Sequence, residues 1–268
     1  MAVAAFILIV IGFVVWISYK RLKRRAAIEA PFPPVWTEIL EKNYPVYIKL
    51  PSDLKNQLHQ KIKTFLYDKT FEGCGGQDIT DEIMVTIAAQ ACMLIINRDA
   101  GCYPKLRTIL VYPSTYVAKQ KESFTRKSAS TSVRLGESWT VGTVVLAWDS
   151  VKGDAYRIDD GHNVTMHEFA HQLDQEDGYG DGVPILGNYS AYAPWTEIFS
   201  EEFEKLRVKT ARGKDDVLDQ YGATNPAEFF AVATETFFEK PEQLKKSHPA
   251  LFQELIQFYQ VNPSMWTE

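Results

Sequence analysis

The sequence is short of several residue patterns on which large classes of protein depend. Only three cysteines occur in 268 residues, Cys74, Cys92 and Cys102, and no two form a CxxC pair. Three thiols cannot all be bridged within one chain, so a disulfide scaffold is excluded and ordinary thiols in a reducing compartment are expected. Their spacing also argues against a cysteine zinc site. Positive charge is not in excess: 34 acidic residues outnumber 29 basic ones, for a net charge of −5. No partner of the nucleic-acid kind, gripped through a broad basic face, is therefore expected. The glycine-rich stretch EGCGGQ at 72–77 is not followed by GK[ST], which removes a phosphate loop and leaves a turn. No internal repeat or low-complexity segment is present.

One long apolar run stands out. AVAAFILIVIGFVVWIS, residues 2–18, is followed at once by YKRLKRR. A spanning helix needs about 17–25 apolar residues. Trp16 and Tyr19 fall where an interfacial aromatic belt would lie, with the basic cluster just beyond. A cleavable signal would carry its positive charge before the apolar core. The order here predicts an uncleaved transmembrane anchor over residues 1–19 that contacts a lipid bilayer, with the rest of the chain on the cytoplasmic side of the inner membrane. A hydrophobic helix docked on the domain or on a partner is the competing reading. Residues 20–33 form a basic juxtamembrane segment and linker, and 34–268 the main domain.

Within that domain, Ser52 or Asp53 offers a cap to a helix whose Leu54, Leu58, Ile62, Phe65 and Leu66 make an apolar stripe. TDEIMVTIAAQACMLIIN, from Thr80, reads as a capped buried helix. RTILVYPSTYV and TVVLAWDSV are β-branched and aromatic, as strands are, and the polar stretch between them reads as a surface loop or hairpin. Beyond residue 162 the pattern is mainly helical. The fold class expected is α+β, mainly helical with a small mixed sheet.

The chemistry concentrates in MHEFAHQLDQ at 166–175. His167 and His171 stand one turn apart, so both imidazoles leave the same helix face. Glu168 lies about 100° round the helix, beside a metal held by the two histidines without binding it, where a general base for water belongs. Asn163 is a candidate cap for this helix and Gly178 a candidate stop. The bland account is a charged helix carrying two surface histidines, but Phe169, Ala170 and Leu173 give the helix an apolar side that calls for burial.

A catalytic zinc site usually needs a third protein ligand. Asp177 has the metzincin spacing, but Asp174 occupies the place of the bend-forming glycine. Glu228 is the better candidate: Asn225 caps its helix and Pro226 takes the first position. Capping-box glue is the competing role for Glu228. Tyr221, seven residues before it, is placed as an oxyanion donor would be, and Glu235, seven after, shares its helix face. Either Glu235 or Asp174 could stand behind an imidazole as its hydrogen-bond partner. His162 falls off the ligand face and reads as non-coordinating, and His59 and His248 read as surface residues. GESWTVGTVVLAW offers either a strand along the cleft, open to an extended peptide, or a buried sheet strand.

FPPVWTEILEKNYPVYIKLP, FEGCGGQDITDEIMVTIAAQACMLIIN, YPKLRTILVYPSTYV, GESWTVGTVVLAWDSV, GHNVTMHEFAHQLDQEDG and AEFFAVATETFF together resemble the Mlc titration factor A family of zinc peptidases. The resemblance covers nearly everything from Phe32 to the C-terminus. It implies a gluzincin-type, zincin-like domain similar in its core to anthrax lethal factor. One Zn2+ would be held by His167, His171 and Glu228, with Glu168 as base. Tyr221 would stabilise the oxyanion, since the Tyr-x6-Glu spacing resembles that group. Aminopeptidase-like action on a peptide or protein substrate is implied too. So is the family's namesake role of binding a transcriptional repressor of sugar-uptake genes, which supplies the rival reading: a membrane-tethered binding module whose zinc is regulatory or structural.

Overall fold

The computed structural model describes residues 2–98, 101–114, 116–118, 132–134, 136–139 and 142–266; the side chains of residues 2–5, 8 and 115–141 lie outside the description. Most of the loop or hairpin expected between the strands therefore falls outside it. Eleven α-helices and six strands appear among the described residues. Four strands make one sheet in the order β1 (Thr70–Gly73), β2 (Thr108–Tyr112), β6 (Thr143–Ala147), β5 (Gly136–Trp139). The first three run parallel and β5 closes the edge antiparallel, so the sheet is small and mixed, as expected. A separate two-stranded pair joins β3 (Tyr116–Ala118) to β4 (Ser132–Arg134), antiparallel.

β1 corrects the reading of this region as only a glycine-rich turn. Thr70 and Phe71 pair with Thr108 and Ile109, and the turn begins only after Gly73. A Cβ at Gly73 would stand 1.8 Å from the Gln77 carbonyl oxygen, so the chain can fold back only over a glycine. The parallel pairing of β1 with β2 needs a crossover, and α5 (Asp81–Met93) supplies it. Thr80 caps α5 by accepting from the Ile83 amide at 3.3 Å. Val85, Ile87 through Cys92 and Met93 are buried, because a helix apolar on all sides belongs at the centre.

α9 (Pro226–Glu239) is the second central helix, buried from Phe229 onward. α8 (Tyr192–Ala211) and α11 (Pro249–Tyr259) clasp it through Trp195, Phe199, Phe230 and Phe258, with Trp195 stacked on Phe199 at 3.9 Å. α7 (Val164–Asp174), which carries the two histidines, packs between α9, α5 and β5.

At the N-terminus one helix, α1 (Ala2–Glu29), runs without a break through the apolar run and the basic segment, and stops before Pro31. Its last turns dock on α4 (Ser52–Asp68): Arg24 forks onto Asp68 at 2.8 and 2.9 Å, and buried Lys63 donates to the carbonyls of Ile28 and Ala30. Among the described residues no helix is long and apolar enough to cross a membrane, so the expected anchor is unsupported; six of its side chains lie outside that search. On α4 the stripe is as expected at Leu54, Leu58, Ile62 and Phe65, although Pro51 rather than Ser52 or Asp53 precedes the first turn and no side chain caps it.

Two histidines depart from expectation. His59 is half-buried, stacked on Phe32 at 3.8 Å and 2.9 Å from the Tyr47 hydroxyl. His248 is only 2 % exposed, because carboxylates wait on both sides of its ring: Nδ1 meets Glu202 at 2.5 Å and Nε2 meets Asp216 at 2.8 Å.

Candidate metal centre

Asn163 starts α7 by accepting from the Met166 amide at 2.9 Å. Asp154 takes the Val164 amide at 3.1 Å, and Glu235 the Asn163 amide at 2.5 Å. With its first donors satisfied, the helix presents His167 and His171 on one face, rings 4.8 Å apart. α9 begins as expected, with Asn225 accepting from the Glu228 amide at 3.0 Å and Pro226 in the first turn. The Glu228 side chain turns to the two histidines instead of to the helix start. Its Oε2 lies 2.9 Å from His167 Nε2 and 3.3 Å from His171 Nε2, and the two Nε2 atoms are 3.2 Å apart. Ligand atoms of the three residues all lie within 4.8 Å of one another.

Behind this group, His167 Nδ1 donates to Glu235 Oε1 at 2.7 Å. With Nδ1 committed to Glu235, Nε2 is the ring nitrogen turned to the centre, the arrangement a metal ligand needs once its proton is displaced. Glu235 is 2 % exposed and so is the carboxylate that orients the imidazole. Asp174 is not: both its oxygens accept from the Gly182 amide, at 2.9 and 3.0 Å. The choice between them was not legible in one-dimensional spacing, because it depends on how α7 and α9 cross.

Glu168 points into the same interior, 5 % exposed. Burial pushes its carboxyl up to about 7, against the pull of the two histidines. Its Oε2 is buried with no hydrogen-bond partner among the described residues, a condition that costs about 1–3 kcal/mol. His167 is raised to about 10: burial opposes its charge, and the carboxylates of Glu228 and Glu235 outweigh burial. Burial would likewise raise Glu228, but the two imidazoles hold it down at about 2. The chain by itself thus favours a proton held between His167 and Glu228, at the point where a cation would replace it. Two imidazole nitrogens and one carboxylate oxygen suit a zinc ion with an open position, and the unpartnered Glu168 oxygen suits a water beside it.

Tyr221 sits at the rim, 54 % exposed, its ring 6.0 Å from that of His167. It belongs to a 3-10 turn, Gln220–Ala223, that Asp219 caps at the Tyr221 amide. Gly222 lets this turn close on α9, since a Cβ there would already stand 3.2 Å from Val232. Asp177 lies apart from the cluster on an exposed turn, accepting from the Tyr179 amide at 2.9 Å. His162 is outside it too, 55 % exposed and 3.5 Å from Glu235 Oε2. Glu239, pushed up to about 9 by burial, had no evident signal in the sequence; it accepts from the Gly161 amide and the Asn163 side-chain amide.

A mainly helical domain with a His–His–Glu cluster at the crossing of two buried helices has the makings of a metal-binding protein, and the family match makes the class metallopeptidase. The chain belongs to the family described as glucose-regulated metallo-peptidase M90, whose model matches residues 18–260. It is 41 % identical over 256 residues to an uncharacterized protein, slr2042, of Synechocystis sp., covering 94 % of this chain and 92 % of that one. It is 28 % identical over 233 residues to Mlc titration factor A of Yersinia pestis, covering 85 % and 84 % of the two chains. Membership in a metallopeptidase family implies a bound metal, and the cluster described is the one among the described residues that fits it.

Proposed function

We propose that the protein is a zinc-dependent peptidase of the gluzincin type, with His167, His171 and Glu228 as metal ligands. The observation that carries this reading is the convergence of those three side chains within 4.8 Å, with Glu235 fixing the tautomer of His167 from behind. Zinc, when bound, supplies a Lewis acid that brings the pKa of water towards about 7. Glu168, buried with an oxygen free of donors, accepts a proton from the attacking water and delivers it to the leaving amine. The Tyr221 hydroxyl swings in from the rim to donate to the developing oxyanion. An extended peptide adds along the edge strand β5, which packs on α7. Action is aminopeptidase-like, a specificity that rests on family resemblance.

We infer that the chain works at the cytoplasmic face of the inner membrane, held there through the apolar and basic halves of α1. Supporting this, Phe6, Ile9, Phe13 and Val15 are each more than half exposed, and Lys20 and Lys23 sit over the rings of Trp16 and Tyr19.

The test is hydrolysis of free and N-acetylated peptides by the full chain and by Glu168→Gln. Turnover of the free peptides alone, lost in the variant, is the expected result. Equal cleavage of both would remove the aminopeptidase reading, and cleavage undiminished in Glu168→Gln would remove the mechanism. A second reading is supported by the relative named Mlc titration factor A: a module that captures a repressor, with zinc structural or regulatory. Zinc binding with no hydrolysis of any peptide would favour it.

A further inference from the structure

Gly182 is buried at the end of an exposed stretch, residues 177–181 before it being open to solvent. Three elements converge on it. Asp174, three residues after His171 on α7, directs both carboxylate oxygens at its amide, at 2.9 and 3.0 Å. Trp195 of α8 donates its indole N–H to the Gly182 carbonyl at 3.2 Å. Its Cα lies against the start of α9: a Cβ would stand 2.5 Å from the Pro226 carbonyl oxygen and 2.8 Å from its carbon. The backbone there has φ +83°, which a glycine adopts freely.

We propose that Asp174, Gly182 and Trp195 form a strut that sets the position of Glu228 relative to His167 and His171. This rests on the reading of those three residues as a metal site. Pro226 and Glu228 share the first turn of α9, so a displacement of the Pro226 carbonyl travels to Glu228. An ordinary contact at that point begins near 3.4 Å, so a methyl group on Gly182 forces its loop and the start of α9 apart by roughly 1 Å. Metal–ligand distances tolerate about 0.2 Å. Rotation of the glutamate side chain recovers part of the difference, so the strut tunes affinity rather than deciding whether any metal binds. Asp174, Gly182 and Trp195 are positioning residues that touch neither metal nor substrate.

The test titrates the full chain with Co2+, following its visible absorption, and measures thermal unfolding in chelator separately. The variants are Gly182→Ala, Asp174→Ala, Asp174→Asn and Trp195→Phe, with Glu228→Ala as reference. Gly182→Ala and Asp174→Ala are expected to bind Co2+ at least tenfold more weakly, with spectra shifted towards that of Glu228→Ala. Asp174→Asn, which keeps an acceptor oxygen, restores most of the affinity. Wild-type affinity and spectrum in both alanine variants, with only the metal-free unfolding temperature lowered, would show a merely structural turn and overturn the proposal. If Gly182→Ala does not fold, the Asp174→Ala and Asp174→Asn pair decides alone. A wild-type chain that takes up no Co2+ fails at the first arm, which identifies the metal reading itself as the error.

Discussion

Glu235 of α9 grips α7 at two points through one carboxylate. One oxygen holds the His167 ring and the other takes the Asn163 amide at the start of α7. Glu235→Gln keeps the size of the side chain but removes the charge that favours a proton on Nδ1. The expected loss is about 10- to 100-fold in zinc affinity, read by competition with a chromophoric chelator; an unchanged affinity would mean that Glu235 serves only the helix start. The residues around it were unequally legible. His167, Glu168 and His171 announce themselves because four-residue spacing on a helix is also spatial adjacency. Glu228 needed its cap, its proline and Tyr221 to stand out from ordinary helix starts. His248 was misjudged because its partners, Glu202 and Asp216, are distant in sequence and nothing local marks a histidine for burial between them.

His248 also ties elements together. It joins the start of α11 to α8 through Glu202 and, through Asp216, to the segment leading to the Tyr221 turn; Lys209 closes the network on Asp216 at 2.5 Å. The two carboxylates raise the His248 pKa against the effect of burial, and the ion pairs lower those of Glu202 and Asp216 against theirs. The histidine's contribution is complete below its unfolded value of 6.5 and fades as pH rises through its raised folded value. The carboxylate contributions are complete above 4.5 and 3.8 and fade as pH falls through the depressed folded values. His248→Gln is therefore expected to cost about 3 kcal/mol in urea unfolding between those limits, with the difference narrowing at alkaline pH. A cost that grows with pH would contradict the assignment. At this scale the helices of the second half were readable from caps and periodicity, whereas β1 was hidden. Four residues ending in a glycine-rich turn carry too little pattern, and only pairing with β2 makes them a strand.

At the scale of the whole molecule, α1 is fastened to the domain at its C-terminal end. Arg24 and Lys63 fasten the last turns of α1 to α4, so whatever holds the apolar half of the helix also orients the metal centre. Cell fractionation with alkaline extraction of the full chain, against a chain beginning at residue 30, tests the proposed location. The full chain is expected in the membrane pellet and the shorter one in the supernatant. A full chain extracted by alkali would leave the helix as a docking element for another protein. The mainly helical α+β class could be read in the sequence because β2 to β6 follow one another, with helical stretches before and after them. The crossing of α7 and α9, which makes the site, could not.

The most direct measurement is the zinc content of the purified chain and of Glu228→Ala, by elemental analysis after removal of loosely bound metal. The account predicts one zinc per wild-type chain and a substoichiometric amount in the variant, both chains remaining folded. Full zinc in Glu228→Ala, or none in the wild type after exposure to the metal, would contradict it.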